Sequence, residues 1–104
     1  MFRSGVASLV KSLANELGDK GIRINNIVPG RIDTERVRSL DTITANKSSE
    51  SIEAIINKYY KEIPLGRYGT IEEFGAVAAF ILSDQASYMS GSNVIVDGGK
   101  IKSL

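Results

Sequence analysis

The 104-residue sequence contains no cysteine and no histidine, and only two prolines. Without cysteine there is no disulfide framework, and without either residue there is no zinc site of the Cys or His kind. Catalysis by a Cys or His side chain is excluded on the same ground, so proton transfer would have to rest on Tyr, Lys, Asp or Glu. A carboxylate metal site is open in principle, but no cluster suggests one, and no metal is expected. An excess of one charge is lacking too: 13 basic and 12 acidic residues leave a net +1. That balance, without a basic run, argues against nucleic acid or a membrane as partner. No apolar run approaches the roughly 18 residues of a membrane span, and the opening "MFRSGVASLVK" has no cleavage-site pattern of the signal-peptide kind. A cytoplasmic protein is expected.

What is present suits one folded domain. Hydrophobic residues make up 42% and charged residues 24% of the chain, too apolar a mixture for disorder. Val6, Leu9, Val10, Leu13 and Leu17 recur at the spacing of one helical face. "GDKG" stops that helix, with Gly18 expected as its left-handed cap. Ile22 to Val28 reads as a short strand, largely apolar as in a strand covered on both faces, and ended by Pro29-Gly30. Asn25 and Asn26 in its middle need hydrogen-bond partners if buried. Residues 35 to 51 are polar and read as a mobile excursion, with Thr34 capping a short turn that contains Val37 and Leu40.

Ile52, Ile55, Ile56, Tyr59 and Tyr60 indicate a second amphipathic helix. Thr70-Ile71-Glu72-Glu73 has the form of a capping box. It opens a third helix with Phe74, Val77, Ala78, Ile81 and Leu82 on one face. A last strand is expected at Asn93 to Val96, closed by Asp97-Gly98-Gly99. No repeat and no second domain is found. The order is that of an α/β fold, with two strands made parallel by a right-handed crossover. Two strands give a thin core and an open sheet edge, so the pattern reads as part of a larger sheet.

Taken together, "GIRINNIVPGRIDT", "PLGRYGTIEEFGAVAAFILSD", "SYMSG" and "VIVDGG" resemble the C-terminal part of the classical short-chain dehydrogenase/reductases. The likeness is especially to the branch that includes 3-oxoacyl-carrier-protein reductases and glucose dehydrogenases, and it runs over essentially residues 1–104 in order. The resemblance implies the C-terminal portion of a Rossmann-type, doubly wound parallel sheet. It also implies hydride transfer between NAD or NADP and a small-molecule carbonyl or secondary alcohol. In open α/β sheets ligands sit beyond the carboxyl ends of the strands, which is where Pro29 to Thr34 falls. By resemblance, Pro29, Gly30, Ile32 and Thr34 are the cofactor-binding residues. The Ile32 backbone would hold the nicotinamide carboxamide, the Thr34 hydroxyl would contact the amide or pyrophosphate, and Gly30 would let the cofactor approach. Residues 35 to 62 correspond to the substrate-binding loop region. Gly91 and Asp97-Gly98-Gly99 match positions near a subunit interface, and a homo-oligomer, dimer or tetramer, is implied.

Neither the family's catalytic Tyr nor the Lys four residues later is present. Alignment brings the lysine position to Arg3, the one catalytic candidate, and places the tyrosine before Met1. Tyr59, Tyr60, Tyr68 and Tyr88 are followed four residues on by Ile63, Pro64, Glu72 and Ser92. No G-x-G-x-x-G phosphate loop occurs. The expectation is a fragment of a longer enzyme, catalytically silent by itself. The alternative is a truncated, non-catalytic module that dimerises through its first helix and the "VDGG" strand.

Overall fold

The computed structural model describes residues 2–102, with side chains from residue 5 onward. Six main elements follow one another: α1 (Phe2–Leu17), β1 (Asn26–Pro29), α2 (Glu35–Ser48), α3 (Ile52–Glu62), α4 (Ile71–Leu82) and β2 (Asn93–Val96). β1 and β2 form a two-stranded parallel sheet in the register Asn26↔Asn93 to Pro29↔Val96. The parallel arrangement and the bounds of β2 agree with the sequence pattern.

α1 buries Val10 and Ala14, whereas Leu9 of the expected apolar face is 58% exposed. The left-handed residue after this helix is Gly21 (φ 74°), not Gly18, which instead begins a short 3-10 turn. The chain tightens for one more turn before it reverses, so the positive φ falls three residues later than expected.

β1 starts at Asn26 rather than Ile22, because before it one backbone bond, Gly91 N to Ile24 O at 2.7 Å, and several side chains take the place of a regular ladder. The Asn25 amide donates to Met89 O at 3.0 Å and accepts from Ser92 N at 3.0 Å. Asn26 Nδ2 meets its register partner Asn93 Oδ1 at 3.1 Å. Arg23 sends its guanidinium across to the carbonyls of Ile81, Ser83, Ala86 and Met89 at 2.9–3.3 Å, fastening the end of α4 and the turn after it.

Residues 35 to 51 correct the expectation of a mobile excursion, since most of them form α2. Thr34 caps a helix of 14 residues rather than a short turn. α2 packs against α3, and neither packs comparably on another helix or strand. At α4 the capping box is complete: Thr70 Oγ1 accepts from Glu73 N at 3.0 Å and Glu73 Oε1 from Thr70 N at 2.9 Å. Ile81 is buried, but Leu82, expected on the same face, is 83% exposed. The core is accordingly thin, and the described residues spread over 55 × 28 × 22 Å.

Candidate functional site

β1 delivers Pro29 to the carboxyl end of the sheet. Proline has no N–H to donate and is tolerated where a ladder stops; Gly30 N continues to Val96 O at 2.8 Å. A Cβ on Gly30 would lie 2.6 Å from Asp97 Cβ and 2.7 Å from Asp97 Cα. The need for glycine is therefore met inside the chain, by the end of β2. Close approach of a ligand is not required to explain it.

Beyond Gly30 the backbone makes one isolated parallel bridge, Ile32 to Gly69. Gly69 N donates to Arg31 O at 3.0 Å, and Asp33 N donates to Gly69 O at 2.8 Å. In this pattern the amide and carbonyl of Ile32 itself point to the opposite side. Among the described residues neither has a hydrogen-bond partner. They form an unpaired donor and acceptor side by side at the end of a parallel strand. Ile32 also lines a small cavity of about 110 Å³ with Arg31, Leu65, Arg67 and Asp97.

Thr34 stands two residues on. Its Oγ1 accepts from Val37 N at 3.2 Å, the N-cap bond of α2. A hydroxyl that accepts still has its proton to donate, so the cap and a ligand contact are compatible. Asp33 is engaged by Arg38, at 2.8 and 3.1 Å, and its carboxyl is held below the ordinary range by that hydrogen bond.

The sequence reading missed the cluster on the other side of the segment. Asp41 of α2 is 1% exposed. Its Oδ1 accepts from Arg31 Nη2 and its Oδ2 from Tyr68 Oη at 2.7 Å. The Arg31 guanidinium lies 3.7 Å from the centre of the Tyr59 ring, and Tyr60 meets Tyr68 edge to face at 5.1 Å. Tyr59 and Tyr60 are thus packing residues, as their helical spacing suggested. Burial, then the hydrogen bond to Asp41, pushes the Tyr68 phenol up to about 12. The only sequence signal for this cluster was an acidic residue on the weakly apolar stretch 35–48.

Of the expected site residues, Pro29, Gly30, Ile32 and Thr34 come together in one segment at the sheet end. Arg3 falls within α1, and its side chain lies outside the described residues. Gly91 faces Ala14 and Lys11 of α1, and Gly98 faces Ile63, all within the same chain. Among the described residues no group of three or more potential metal ligands gathers, and no helix is long and apolar enough to cross a membrane.

Comparison with known proteins adds to this geometry. A family profile described as enoyl-(acyl carrier protein) reductase matches residues 1–100. A 3-oxoacyl-[acyl-carrier-protein] reductase of Chlamydia muridarum is 39% identical over 93% of the chain and 35% of its own length. A probable 2,4-dienoyl-CoA reductase of Bacillus subtilis is 46% identical over 94% of the chain and 36% of its own. The crystal structure of a short-chain dehydrogenase family protein from Francisella tularensis superposes with a TM-score of 0.88 at 34% identity. It matches 93% of this chain and 40% of that one. The chain thus spans about a third of the length of the curated relatives it matches.

Proposed function

From the premise that the chain belongs to the short-chain dehydrogenase/reductase family, we propose that it supplies the nicotinamide-facing end of an oxidoreductase. The enzyme would move a hydride between NAD or NADP and a carbonyl or secondary alcohol. The observation that carries this reading is the unspent amide and carbonyl of Ile32 beyond the carboxyl end of a parallel strand. Members of this family take a nicotinamide cofactor, and these residues fit its carboxamide. The Ile32 amide would donate to the carboxamide oxygen, and the Ile32 carbonyl would accept from its nitrogen. The Thr34 hydroxyl would donate to the same group or to the pyrophosphate. When bound, the cofactor supplies the hydride.

The proton is another matter. A tyrosine working as acid–base near neutrality needs a lowered pKa. Tyr68 moves the other way, to about 12, while Tyr59 and Tyr60 pack around it and Tyr88 is fully exposed. We therefore place the acid–base residue outside this chain, which by itself would be silent. The α2–α3 pair would cover the substrate, and the substrate class is an acyl thioester, of the 3-oxoacyl kind that the name of one of the two curated relatives suggests.

A titration following nicotinamide fluorescence, with the full-length protein and with the 104-residue chain, tests the reading. Saturable binding is expected only for the former, together with cofactor oxidation at 340 nm on adding a 3-oxoacyl thioester. No binding by the full-length protein would sink the proposal. Micromolar binding by the short chain would overturn the division of labour. The second reading, a non-catalytic interaction module, draws on the exposed Ile71, Phe80 and Leu82 of α4. It predicts that the 104-residue chain forms a discrete oligomer with a sharp melt and binds no cofactor.

A further inference from the structure

We propose that Arg31, Asp41, Tyr59 and Tyr68 form a latch that fixes the α2–α3 pair over the strand end. Arg31 would then be a positioning residue for the nicotinamide contacts at Ile32 and Thr34. The coupling to nicotinamide rests on the reading given under Proposed function; the latch itself does not.

Three observations carry it. First, α2 and α3 pack on each other but not broadly on any other helix or strand. What holds the pair in place must therefore be concentrated at a few points. Second, one buried carboxylate joins three segments. Asp41 belongs to α2, Arg31 to the strand-end segment and Tyr68 to the loop returning from α3, and both carboxylate oxygens are occupied. A buried carboxylate is tolerated only while its partners stay in place, so the three segments move together or the charge is stranded. Third, Arg31 sits between two fixed backbone points. Gly30 abuts Asp97, and Ile32 bridges to Gly69. A shift of α2–α3 pulling on the Arg31 fork is thus delivered to the peptide that offers its amide and carbonyl to the ligand.

Arginine is needed for geometry as well as charge. Its planar fork reaches Asp41 while its face covers Tyr59, at 3.7 Å, which an ammonium cannot do at once. The arrangement has a cost as well, because among the described residues Arg31 Nε is buried without a hydrogen-bond partner.

The test is hydrogen exchange read by mass spectrometry on the full-length protein, with Arg31→Lys, Asp41→Asn and Tyr68→Phe. Cofactor affinity is measured in parallel by fluorescence. Each variant should exchange residues 35–62 at least fivefold faster, while residues 71–82 in α4 keep the wild-type rate. The cofactor Kd should rise several-fold in proportion. Should Asp41→Asn fail to fold, the two milder variants still decide the question. Unchanged exchange over 35–62 in Arg31→Lys and Tyr68→Phe would overturn the latch. Faster exchange with an unchanged Kd would overturn the coupling to the nicotinamide contacts. If the wild-type protein binds no cofactor, the reading of the site fails, and the exchange pattern alone still decides the latch.

Discussion

Replacing Gly30 by alanine separates two explanations of the same residue. The added Cβ would stand 2.6 and 2.7 Å from the Cβ and Cα of Asp97, about 1 Å inside normal carbon–carbon separation. Gly30 has no positive φ, so alanine suffers no backbone strain and would otherwise gain about 0.4–1 kcal/mol through the unfolded state. Against this stands an overpacking cost of about 1–3 kcal/mol. Relieving the clash means parting the ends of β1 and β2, which would stretch the 2.8 Å bond from Gly30 N to Val96 O. Losing that bond costs about 0.5–1.5 kcal/mol more. The net expectation is a loss of about 1–3 kcal/mol, read from denaturant unfolding of the full-length protein. Adding Asp97→Gly should not rescue it, since the main chain at that position would still crowd the new methyl group and the carboxylate that accepts from Gly99 N and Ile101 N would be lost. Unchanged stability with weakened cofactor binding would refute the reasoning and return Gly30 to a ligand-facing role.

Three further outcomes are expected. Thr34→Ala should cost about 0.5–2 kcal/mol through the lost cap of α2, and Thr34→Ser should restore it; a melt unmoved by either change would contradict the cap. Glu73, held by the Arg67 fork and the Thr70 amide, has its carboxyl lowered from 4.5 to about 2. Its folded-state pKa lies below the unfolded one, so the stabilisation is complete above about pH 4.5 and is lost as pH falls toward 2. Circular dichroism on acid titration should show this component in the wild type and not in Glu73→Gln; identical acid profiles would argue against it. The described residues have a radius of gyration of 16.7 Å, against about 13 Å for a compact domain of about 100 residues. Leu65, Ile71 and Leu82 are 69%, 59% and 83% exposed. The 104-residue chain alone should self-associate or stay partly molten, and a sharp melt from a monodisperse 11.2 kDa species in sedimentation would contradict that.

The elements that hydrophobic periodicity can reveal were legible in the sequence. α1, α3 and α4 repeat their apolar residues at helical spacing, the Thr70 capping box marks a helix start, and β2 carries the apolar run Val94-Ile95-Val96. α2 was hidden because a carboxylate anchors it. Its buried residues are Asp41 and Ala45, and neither makes a hydrophobic stripe. The start of β1 was misplaced because the two isoleucines of Ile22 to Asn25 suggest a strand, yet only the Ile24 carbonyl there takes a backbone bond from across, from Gly91 N, and the Asn25 and Arg23 side chains do the rest. The strand-end segment was legible through its Pro-Gly break and its resemblance to known sequences. The partner that demands Gly30 lies 67 residues away at Asp97, and no local pattern could expose it.

The hydrogen bonds of Arg23 also bear on when the chain can fold as it is made. Its four carbonyl acceptors lie 58 to 66 residues downstream, and β1 finds its ladder in a strand of similar separation. At about 5–20 residues per second on the ribosome, roughly 3–13 s pass between synthesis of Arg23 and of its last acceptor. For most of that interval, until Ile81 is made, the guanidinium has none of its native carbonyls, and the apolar segment around Ile24, Ile27 and Val28 has no β2 beside it throughout. α1 can form locally, but the sheet must wait. The stretch from Arg23 to Pro29 is thus made well before the groups that secure it, and until then its fastening points stand open.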